Sequence, residues 1–507
     1  MQTGREYLSR QELLGQLADQ QLAVETYQRR LAQKEQDEQY LKAQIAYLKR
    51  MLFGQKRERF TSPDQKALPF EASPEQTETN QQATTEKITY TRQKQDRSNH
   101  HGRLKLPDHL PVEQVEIHPE GDLSGMVCIG REVTEELELE PARFYIKRYI
   151  RYKYAPKSQQ AGGILIGELP ERVIDKGIPG PGLLATILTD KYADHLPLYR
   201  QRQRFLREGI SIASTTLEGW AAQGMDRLEI LWEHLLADTK TQGYLQADET
   251  PIKVLDARKK GRCHQGYYWV YHSPLTQTVL FDYQPTRGAP APEQMLKDFT
   301  GYLQTDGYRV YQKIGARKGV VHLSCWAHAR REFERALAND RQRAETALSW
   351  IQQLYGVERQ ARQGQLSPAQ RKALRLDQAL PVLTKMGKWI SEQLTQVLPK
   401  SQIGKALAYS LARWEGLSGY LTDGVLEIDN NQVENAIRPV ALGRKNYLFA
   451  GSHAGARRAA MIYSLLGTCK MHEVNPHQWL SHTLQHILST KYNDIRSLYP
   501  QNFKSNT

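Results

Sequence analysis

Three acidic residues stand in sequence contexts that would bring their carboxylates together. Asp248 lies inside a half-buried strand predicted from YLQADETPIKVLDA, and Asp306 ends a second predicted strand, GYLQTD. Glu434 lies one turn into a helix predicted to begin near Asn431, on the face where Ile437 packs. Carboxylates gathered in a partly buried site repel one another, so a cation must hold them. Oxygen ligands without a Cys/His cluster favour Mg²⁺ over zinc.

Each acid also has a simpler explanation when it is taken singly. Asp248 could close a turn, Asp306 belongs to an Asp-Gly turn dipeptide, and Glu434 could be a solvated helix residue. Asp429 or Asn430 is the candidate cap of the helix that carries Glu434. The order of the surrounding elements favours the metal site over these alternatives.

The elements that must position the acids follow from the hydrophobic pattern. GYYWVYHS and QTVLFDYQ predict a hairpin, APEQMLKDF predicts a short helix, and VVHLSCWAHARREFERAL predicts a strand that leads into a helix. Three antiparallel strands, a helix and a further strand ending in Asp form the order of a ribonuclease-H-like sheet. The fold class is therefore multidomain α+β, with a catalytic core over 241–450, an all-helical insertion at about 330–420 and a helical element over 451–507.

Residues 98–160 predict a small β module. An acidic strand over 132–140 is followed by ARFYIKRYIRYKYAP, in which aromatic residues alternate with Lys147, Arg151 and Lys153. These cations could bind a phosphate backbone while the aromatic rings stack on bases. The alternative is a hairpin in which the cations face the glutamates of the acidic strand.

Residues 161–240 predict helices with the spacing of a helix-turn-helix. An Arg-rich helix carries Arg200, Arg202 and Arg204, and the next helix has Ser214 as its candidate N-cap. Such a pair of helices suits DNA phosphates, although the same geometry is common in plain helical bundles.

The stretch from 436 to 470 contains no Asp or Glu. Beside a metal site, this run suits the path of a phosphodiester backbone, and a solvated cationic surface is the alternative. The cations assigned to DNA in this stretch are Arg438, Arg444, Lys445, Arg457 and Arg458.

Residues 1–60 predict one long helix with apolar residues at heptad spacing. The pattern favours a coiled coil and self-association, and a helix packed on its own domain is the alternative. Residues 61–97 are rich in Gln, Thr and Glu, which predicts a flexible linker.

Composition narrows the class of partner. The 507 residues contain 69 Lys+Arg and 56 Asp+Glu, and the net charge of +13 suggests a polyanionic partner. Four widely spaced cysteines exclude a disulfide framework and indicate a reducing cytoplasm. Neither an apolar run long enough to span a membrane nor a secretory signal is expected.

Several motifs resemble the DDE transposases of the insertion sequence 66 family. They are QADETPIKV, LQTDGYRVY, CWAHARREF and DNNQVENAIRPVALGRKNYLFAGS, while LKRMLFGQKRERF is similar to the family's leucine-zipper-like segment. The resemblance covers nearly the whole chain and implies a ribonuclease-H-like core in which Asp248, Asp306 and Glu434 occupy the DDE positions. Cys325 and His328 match a Cys/Asp-x-x-His element of several transposase families and are candidate accessory residues.

The resemblance further implies cleavage at insertion-sequence ends and strand transfer into target DNA with two Mg²⁺ ions, with Mn²⁺ as the alternative ion. It also implies a homodimer or higher oligomer, small accessory transposition proteins and a bacterial, cytoplasmic, nucleoid-associated location. An oligomeric DNA-binding protein with an inactive core and a stand-alone metal-dependent endonuclease are the rival functions.

One departure from the family concerns zinc. Family members usually carry paired cysteines between linker and core, whereas this chain has Cys128 alone and no Cys-x-x-Cys. Because a tetrahedral zinc site needs about four N/S ligands, the module is expected to keep its fold without zinc.

Overall fold

The computed structural model describes residues 106–504, apart from residues 107, 109, 122 and 125 and the ranges 141–142, 157–163 and 257–261. The predicted coiled coil over 1–60 and linker over 61–97 lie outside the described residues.

A four-stranded sheet opens the described chain. Its long hairpin pairs Glu132 with Arg151 and Glu136 with Lys147, so the predicted acidic strand does face the cationic strand. The first strand lies parallel to the second strand of the hairpin, and a short fourth strand pairs with it as well. The strands are β1 (Val112–Ile117), β2 (Met126–Glu140), β3 (Arg143–Pro156) and β4 (Leu165–Ile166).

Four helices follow; the sequence predicts a helical region and identifies the first three of them. The carboxylate of Glu138 on β2 accepts the Leu183 N–H at 3.0 Å at the start of the first helix. A Cβ at Gly180 or Gly182 would collide with that carboxylate, which explains the Pro-Gly-Pro-Gly segment. The helices are α1 (Pro181–Tyr192), α2 (Leu198–Arg207), α3 (Ser214–Arg227) and α4 (Glu229–Lys240).

The helix-turn-helix pattern corresponds to α2 and α3. Leu217 and Trp220 are buried in the core, as their spacing predicts. The prediction that Ser214 caps α3 was wrong, because Ala213 occupies the N-cap position and Ser214 is the first helical residue.

The core sheet has the order β7-β6-β5-β8-β9. Strands β5, β6 and β7 are antiparallel neighbours, whereas β8 and β9 run parallel to β5. The predicted hairpin and short helix are confirmed, and the strand predicted to end on Asp306 ends one residue earlier, at Thr305. The elements are β5 (Tyr244–Leu255), β6 (Cys263–Ser273), β7 (Thr278–Gln284), α5 (Pro290–Met295), β8 (Gly301–Thr305), α6 (Arg309–Gly315) and β9 (Val320–Ser324).

Every regular element between β9 and residue 421 is helical, and these helices share a hydrophobic core of their own. Within it, Arg375 and Glu358 form a salt bridge in which both side chains have no exposed surface. The helices are α7 (Trp326–Ala336), α8 (Arg341–Gln363), α9 (Pro368–Leu374), a π-helical turn (Arg375–Ala379), α10 (Leu380–Leu394), α11 (Gln402–Leu411) and α12 (Trp414–Ser418).

The last helices return to the core sheet. They are α13 (Asn431–Tyr447), α14 (His453–Met471) and α15 (Pro476–His486). Ser464 and Thr468 on α14 accept the N–H groups of Phe281 and Val279 on the edge strand β7, at 2.8 and 3.1 Å. The boundary expected at residue 450, between the catalytic core and the last helical element, therefore separates β7 and α14, which pack against each other. None of the described helices combines the length and hydrophobicity needed to span a bilayer.

Candidate functional site

Strand pairing brings the first two acids side by side. The parallel register of β5 and β8 pairs Gln246 with Gln304 and Ala247 with Thr305. The next residue along each segment is the predicted acid: Asp248 lies within β5, and Asp306 directly follows the end of β8. Each acid also lies two residues after a buried glutamine, so acid and glutamine share one face of the sheet.

The two glutamines fasten the sheet to the loop that precedes α13. Gln304 Oε1 accepts the Tyr244 hydroxyl at 2.6 Å and Gln246 Nε2 at 3.0 Å. Gln246 Nε2 also donates to the Asp429 carbonyl at 3.0 Å, and Gln304 Nε2 donates to the Glu427 carbonyl at 2.9 Å. Because Tyr244, Gln246 and Gln304 are fully buried, this network fixes the loop rigidly against both strands.

The loop leads into the helix that carries Glu434. Its helix begins at Asn431, as predicted, and Asn430 occupies the N-cap position without a side-chain cap. The carboxylate of Asp429 accepts the Asn431 N–H at 3.0 Å and the Tyr355 hydroxyl at 2.6 Å. Of the two predicted caps, Asp429 is thus the one whose side chain bonds the first helical N–H.

The charges of the three acids interact. Burial raises the pKa of Asp248 well above its ordinary value, and the carboxylates of Asp306, Glu249 and Glu434 raise it further. Only the hydrogen bond from the Glu249 N–H acts in the opposite direction. The site therefore concentrates negative charge where solvent screens it poorly.

A divalent cation fits this arrangement. Glu434 Oε1 is buried without a hydrogen-bond partner among the described residues, and the repelling carboxylates are hard oxygen donors. Asp248, Asp306 and Glu434 stay the predicted ligands of such an ion; among the described residues, the one set of three His, Cys, Asp or Glu ligand atoms within 4.8 Å of one another includes Glu434 but neither aspartate.

Cys325 and His328 lie against the third acid. The ligand atoms of Cys325, His328 and Glu434 all fall within 4.8 Å of one another, and His328 Nε2 is 3.6 Å from Glu434 Oε1. The Cys325 thiol accepts the Asn430 N–H at 3.5 Å, and burial raises the pKa of that thiol. Burial also lowers the pKa of His328, against the opposing effects of Glu434 and Asp306. Their accessory role stays a prediction.

Three residues at the edge of the site were not predicted from the sequence: Glu249, Arg287 and Tyr308. Arg287 donates to Glu249 at 2.8 Å, and its guanidinium carbon lies 4.2 Å from the centre of the Tyr308 ring. The Tyr308 N–H in turn donates to Asp306 Oδ1 at 2.8 Å. The one signal in the sequence was the pair of adjacent acids in Ala-Asp-Glu-Thr. Neighbouring residues of a strand face opposite sides of the sheet, so Glu249 needs a cationic partner of its own, separate from the partner of Asp248.

The predicted DNA-binding cations of the β module contact acids or rings of the same module. Arg151 and Lys153 lie 3.1 and 3.5 Å from the carboxylate of Glu132. Lys147 Nζ lies 5.6 Å from the centre of the Tyr149 ring. These contacts correspond to the alternative hairpin interpretation, and DNA contact stays a prediction.

The arginines of α2 differ in their surroundings. Arg204 pairs with Asp190, and Arg202 donates to the Ile212 carbonyl at 2.8 Å. Arg200 is exposed and donates to Asn446 Oδ1 at 3.4 Å, which places α2 beside the end of α13.

The cations of α13 and α14 are mostly open to solvent. Arg458 pairs with Asp226 at 2.6 Å, and Arg444 donates to the Pro251 carbonyl on β5. The other three are exposed and make no ion pair with any described residue: Arg438, Lys445 and Arg457.

Comparison with known proteins decides the family. The model described as "Transposase IS66 family" matches residues 176–458, which is more than half of the chain and includes all three acids. The chain belongs to the IS66 transposase family. Models described as "Transposase C of IS166 homeodomain" and "IS66 C-terminal element" match residues 40–115 and 464–501 of this IS66 transposase.

Two similar proteins come from Sinorhizobium fredii, and both carry the name of an uncharacterized protein. The IS66 transposase is 32% identical to y4jD over 92% of its own chain and 94% of that protein. It is 35% identical to y4qI over 78% of its own chain and 76% of that protein. No solved structure matches the chain.

Proposed function

We propose that this IS66 transposase cuts DNA at the ends of its element and joins the freed 3′-hydroxyl to target DNA, with Asp248, Asp306 and Glu434 holding two Mg²⁺ ions. The β5–β8 register, which sets Asp248 beside Asp306, and the glutamine bonds that fasten the loop before Glu434's helix to both strands carry the proposal. In support, Asp306 and Glu434 both raise the pKa of Asp248. The sheet order, with three antiparallel strands and two parallel ones, supports a ribonuclease-H-like core.

The chain's own residues hold and orient the acids. The N–H groups of Glu249 and Tyr308 fix one oxygen each of Asp248 and Asp306, at 2.7 and 2.8 Å. The second oxygen of each carboxylate is then the one available to an ion. When bound, Mg²⁺ would stabilise the attacking and leaving oxygens of an in-line phosphoryl transfer.

Glu434 has cationic neighbours on its open side. Arg331 Nη2 lies 3.6 Å from Glu434 Oε2, and Arg331 is exposed to solvent. We propose that a metal ion displaces Arg331 from Glu434 and that the Arg331 guanidinium then binds a DNA phosphate. The homodimer, the accessory proteins and a location at the bacterial nucleoid belong to the same proposal, because two element ends must be joined in one complex.

The test is cleavage and strand transfer with purified protein, element-end DNA and Mg²⁺. Asp248→Asn and Glu434→Gln should abolish both reactions, whereas Asp298→Asn, an exposed acid between α5 and β8, should leave them unchanged. Full activity in Asp248→Asn protein would refute the assignment. Cleavage without joining would indicate the stand-alone endonuclease, and DNA binding without cleavage would indicate the inactive core.

A second readout does not require DNA. Removing the charge of Asp248 relieves repulsion among buried carboxylates, so Asp248→Asn should raise the melting temperature of metal-free protein. Mg²⁺ should raise the melting temperature of wild-type protein and have little effect on Asp248→Asn. An equal Mg²⁺ response in both proteins would contradict the metal site.

A further inference from the structure

The turn after α13 exposes two adjacent apolar side chains. Leu448 is 62% exposed and Phe449 is 39% exposed, although both follow a helix whose other end carries Glu434. Two exposed side chains form only a small apolar patch, so its role depends on the backbone that holds it and on the charges around it.

The backbone holds this turn in one conformation. Leu448 has a backbone φ of +56°, a conformation that residues other than glycine adopt only at a free-energy penalty. Hydrogen bonds on both sides enforce it: the Leu448 N–H donates to the Arg444 carbonyl at 3.2 Å, and the Ala450 N–H donates to the Lys253 carbonyl at 2.8 Å. The Leu255 N–H also donates to the Ala450 carbonyl at 2.9 Å. The two side chains are thus presented outward from a rigid, strained support.

The surroundings of the turn are cationic. Lys445 and Arg438 are exposed on the same helix, and Arg200 reaches Asn446, two residues before Leu448. The stretch from 436 to 470 contains no acid. Two exposed apolar side chains surrounded by cations are complementary to a nucleic acid: the cations can bind its phosphates, and the apolar side chains can contact its stacked bases.

The position relative to the acids fits the size of duplex DNA. Glu434 lies in the first turn of α13 and Leu448 directly follows its last residue, so helical geometry separates the two by about 21 Å at 1.5 Å per residue. That distance corresponds to about six base-pair steps of duplex DNA at 3.4 Å each.

We propose that Leu448 and Phe449 form an apolar wedge that inserts between base pairs of the DNA duplex bound along α13. The wedge would unstack one step at about six base pairs from the cleaved bond. This inference rests on the proposed function, because it needs DNA at the acidic site. Its effect is to bend and open the duplex so that the strand to be cut reaches the carboxylates.

The experiment uses full-length protein carrying Asp248→Asn, so that the DNA stays intact, and element-end duplexes with a single 2-aminopurine moved one position at a time. Unstacking raises the fluorescence of 2-aminopurine. With the wedge intact, we expect a rise of about fivefold at one or two adjacent positions, the response of a base that leaves its stack. Adding Leu448→Ala and Phe449→Ala should abolish the rise. Leu275→Ala, which changes a 51% exposed leucine in the β6–β7 turn, should preserve it.

Cleavage supplies the second measurement. In protein with its acids intact, Leu448→Ala/Phe449→Ala should cut fully paired DNA about tenfold more slowly, the loss expected for one stacking contact. A mismatch placed at the unstacked step should restore the rate, because the DNA is then already open. A variant that fails to fold would not be rescued by a mismatch.

An unchanged fluorescence rise in the wedge variant overturns the proposal, as does bound DNA without any rise. A change in oligomeric state on Leu448→Ala/Phe449→Ala, measured by light scattering without DNA, would make a second copy of the chain the occupant and would also overturn it. If only the wedge proposal is wrong, the wild-type protein still cleaves DNA in the presence of Mg²⁺. If the proposed function is wrong, the wild-type protein shows no such cleavage.

Discussion

Replacing Gln304 by leucine tests whether the buried network holds the third acid in place. Gln304 lies two residues before Asp306 and accepts hydrogen bonds from Tyr244 and Gln246, while its amide donates to the Glu427 carbonyl. Leucine has a similar volume but makes none of these bonds.

The expected loss of stability follows from the buried polar groups that Gln304→Leu leaves without a hydrogen-bond partner. Gln246 keeps its bond to the Asp429 carbonyl, so two groups lose their partners in the described structure: the Tyr244 hydroxyl proton and the Glu427 carbonyl. A buried polar group without a partner costs about 1–3 kcal/mol, so Gln304→Leu should lower the free energy of unfolding by about 4 kcal/mol.

Urea unfolding of the full chain measures this loss, and Mg²⁺-dependent cleavage per folded molecule measures the position of Glu434. We expect the cleavage rate to fall about a hundredfold, because small displacements of catalytic groups have effects of that size. The matched control is Gln312→Leu, the same chemical change at an exposed site on α6.

Two results would refute the reasoning. If Gln304→Leu lowers stability no more than Gln312→Leu, the network does not join the loop to the sheet. If stability falls but folded protein cleaves at the wild-type rate, Glu434 is positioned by other contacts.

The remaining predictions concern the rest of the fold. Arg375 directs five N–H bonds at Glu358 and three carbonyls, and lysine offers only three donors. Arg375→Lys should therefore lower the urea-derived unfolding free energy by about 4 kcal/mol, whereas exposed Arg341→Lys should change little. Burial raises the pKa of Glu138 from 4.5 to about 7, so its contribution is fully present below pH 4.5 and is lost as the pH rises through 7. Wild-type stability should fall by up to about 3 kcal/mol more than that of Glu138→Gln between pH 5 and pH 8; parallel pH profiles would contradict this. Thr468→Val removes the acceptor of an edge-strand N–H and should destabilise by about 2 kcal/mol in thermal unfolding, unlike Thr346→Val on the exposed face of α8.

Much of the core sheet could be predicted from sequence because its signals are local. Period-two alternation marks β5, and a hairpin turn joins β6 to β7, so their pairing needs no distant information. The same local reasoning misjudged Ser214, because a serine before an apolar helix resembles a cap whether it precedes the first turn or begins it.

The network around the acids could not be predicted in this way. Gln246 and Gln304 resemble ordinary polar residues in strands, and their burial follows only from the parallel register of β5 and β8 and from the loop packed over them. Arg375 similarly appears as a surface residue of an amphipathic helix, yet it has no exposed area. In both cases most of the partners are more than 40 residues away along the chain.

The amino-acid sequence by itself singled out three candidate acids, most of the strands and helices around them and the cationic character of the stretch from 436 to 470, because these depend on residue type and short-range periodicity. Only the tertiary structure decided which groups hold the acids: Tyr308 at Asp306, Arg331 and His328 at Glu434, and the glutamines beneath them. It also turned Leu448 and Phe449 outward on a strained turn. The physical reason is that periodicity reports which face of an element is apolar, whereas the partner of a buried polar group is set by packing between elements distant in sequence.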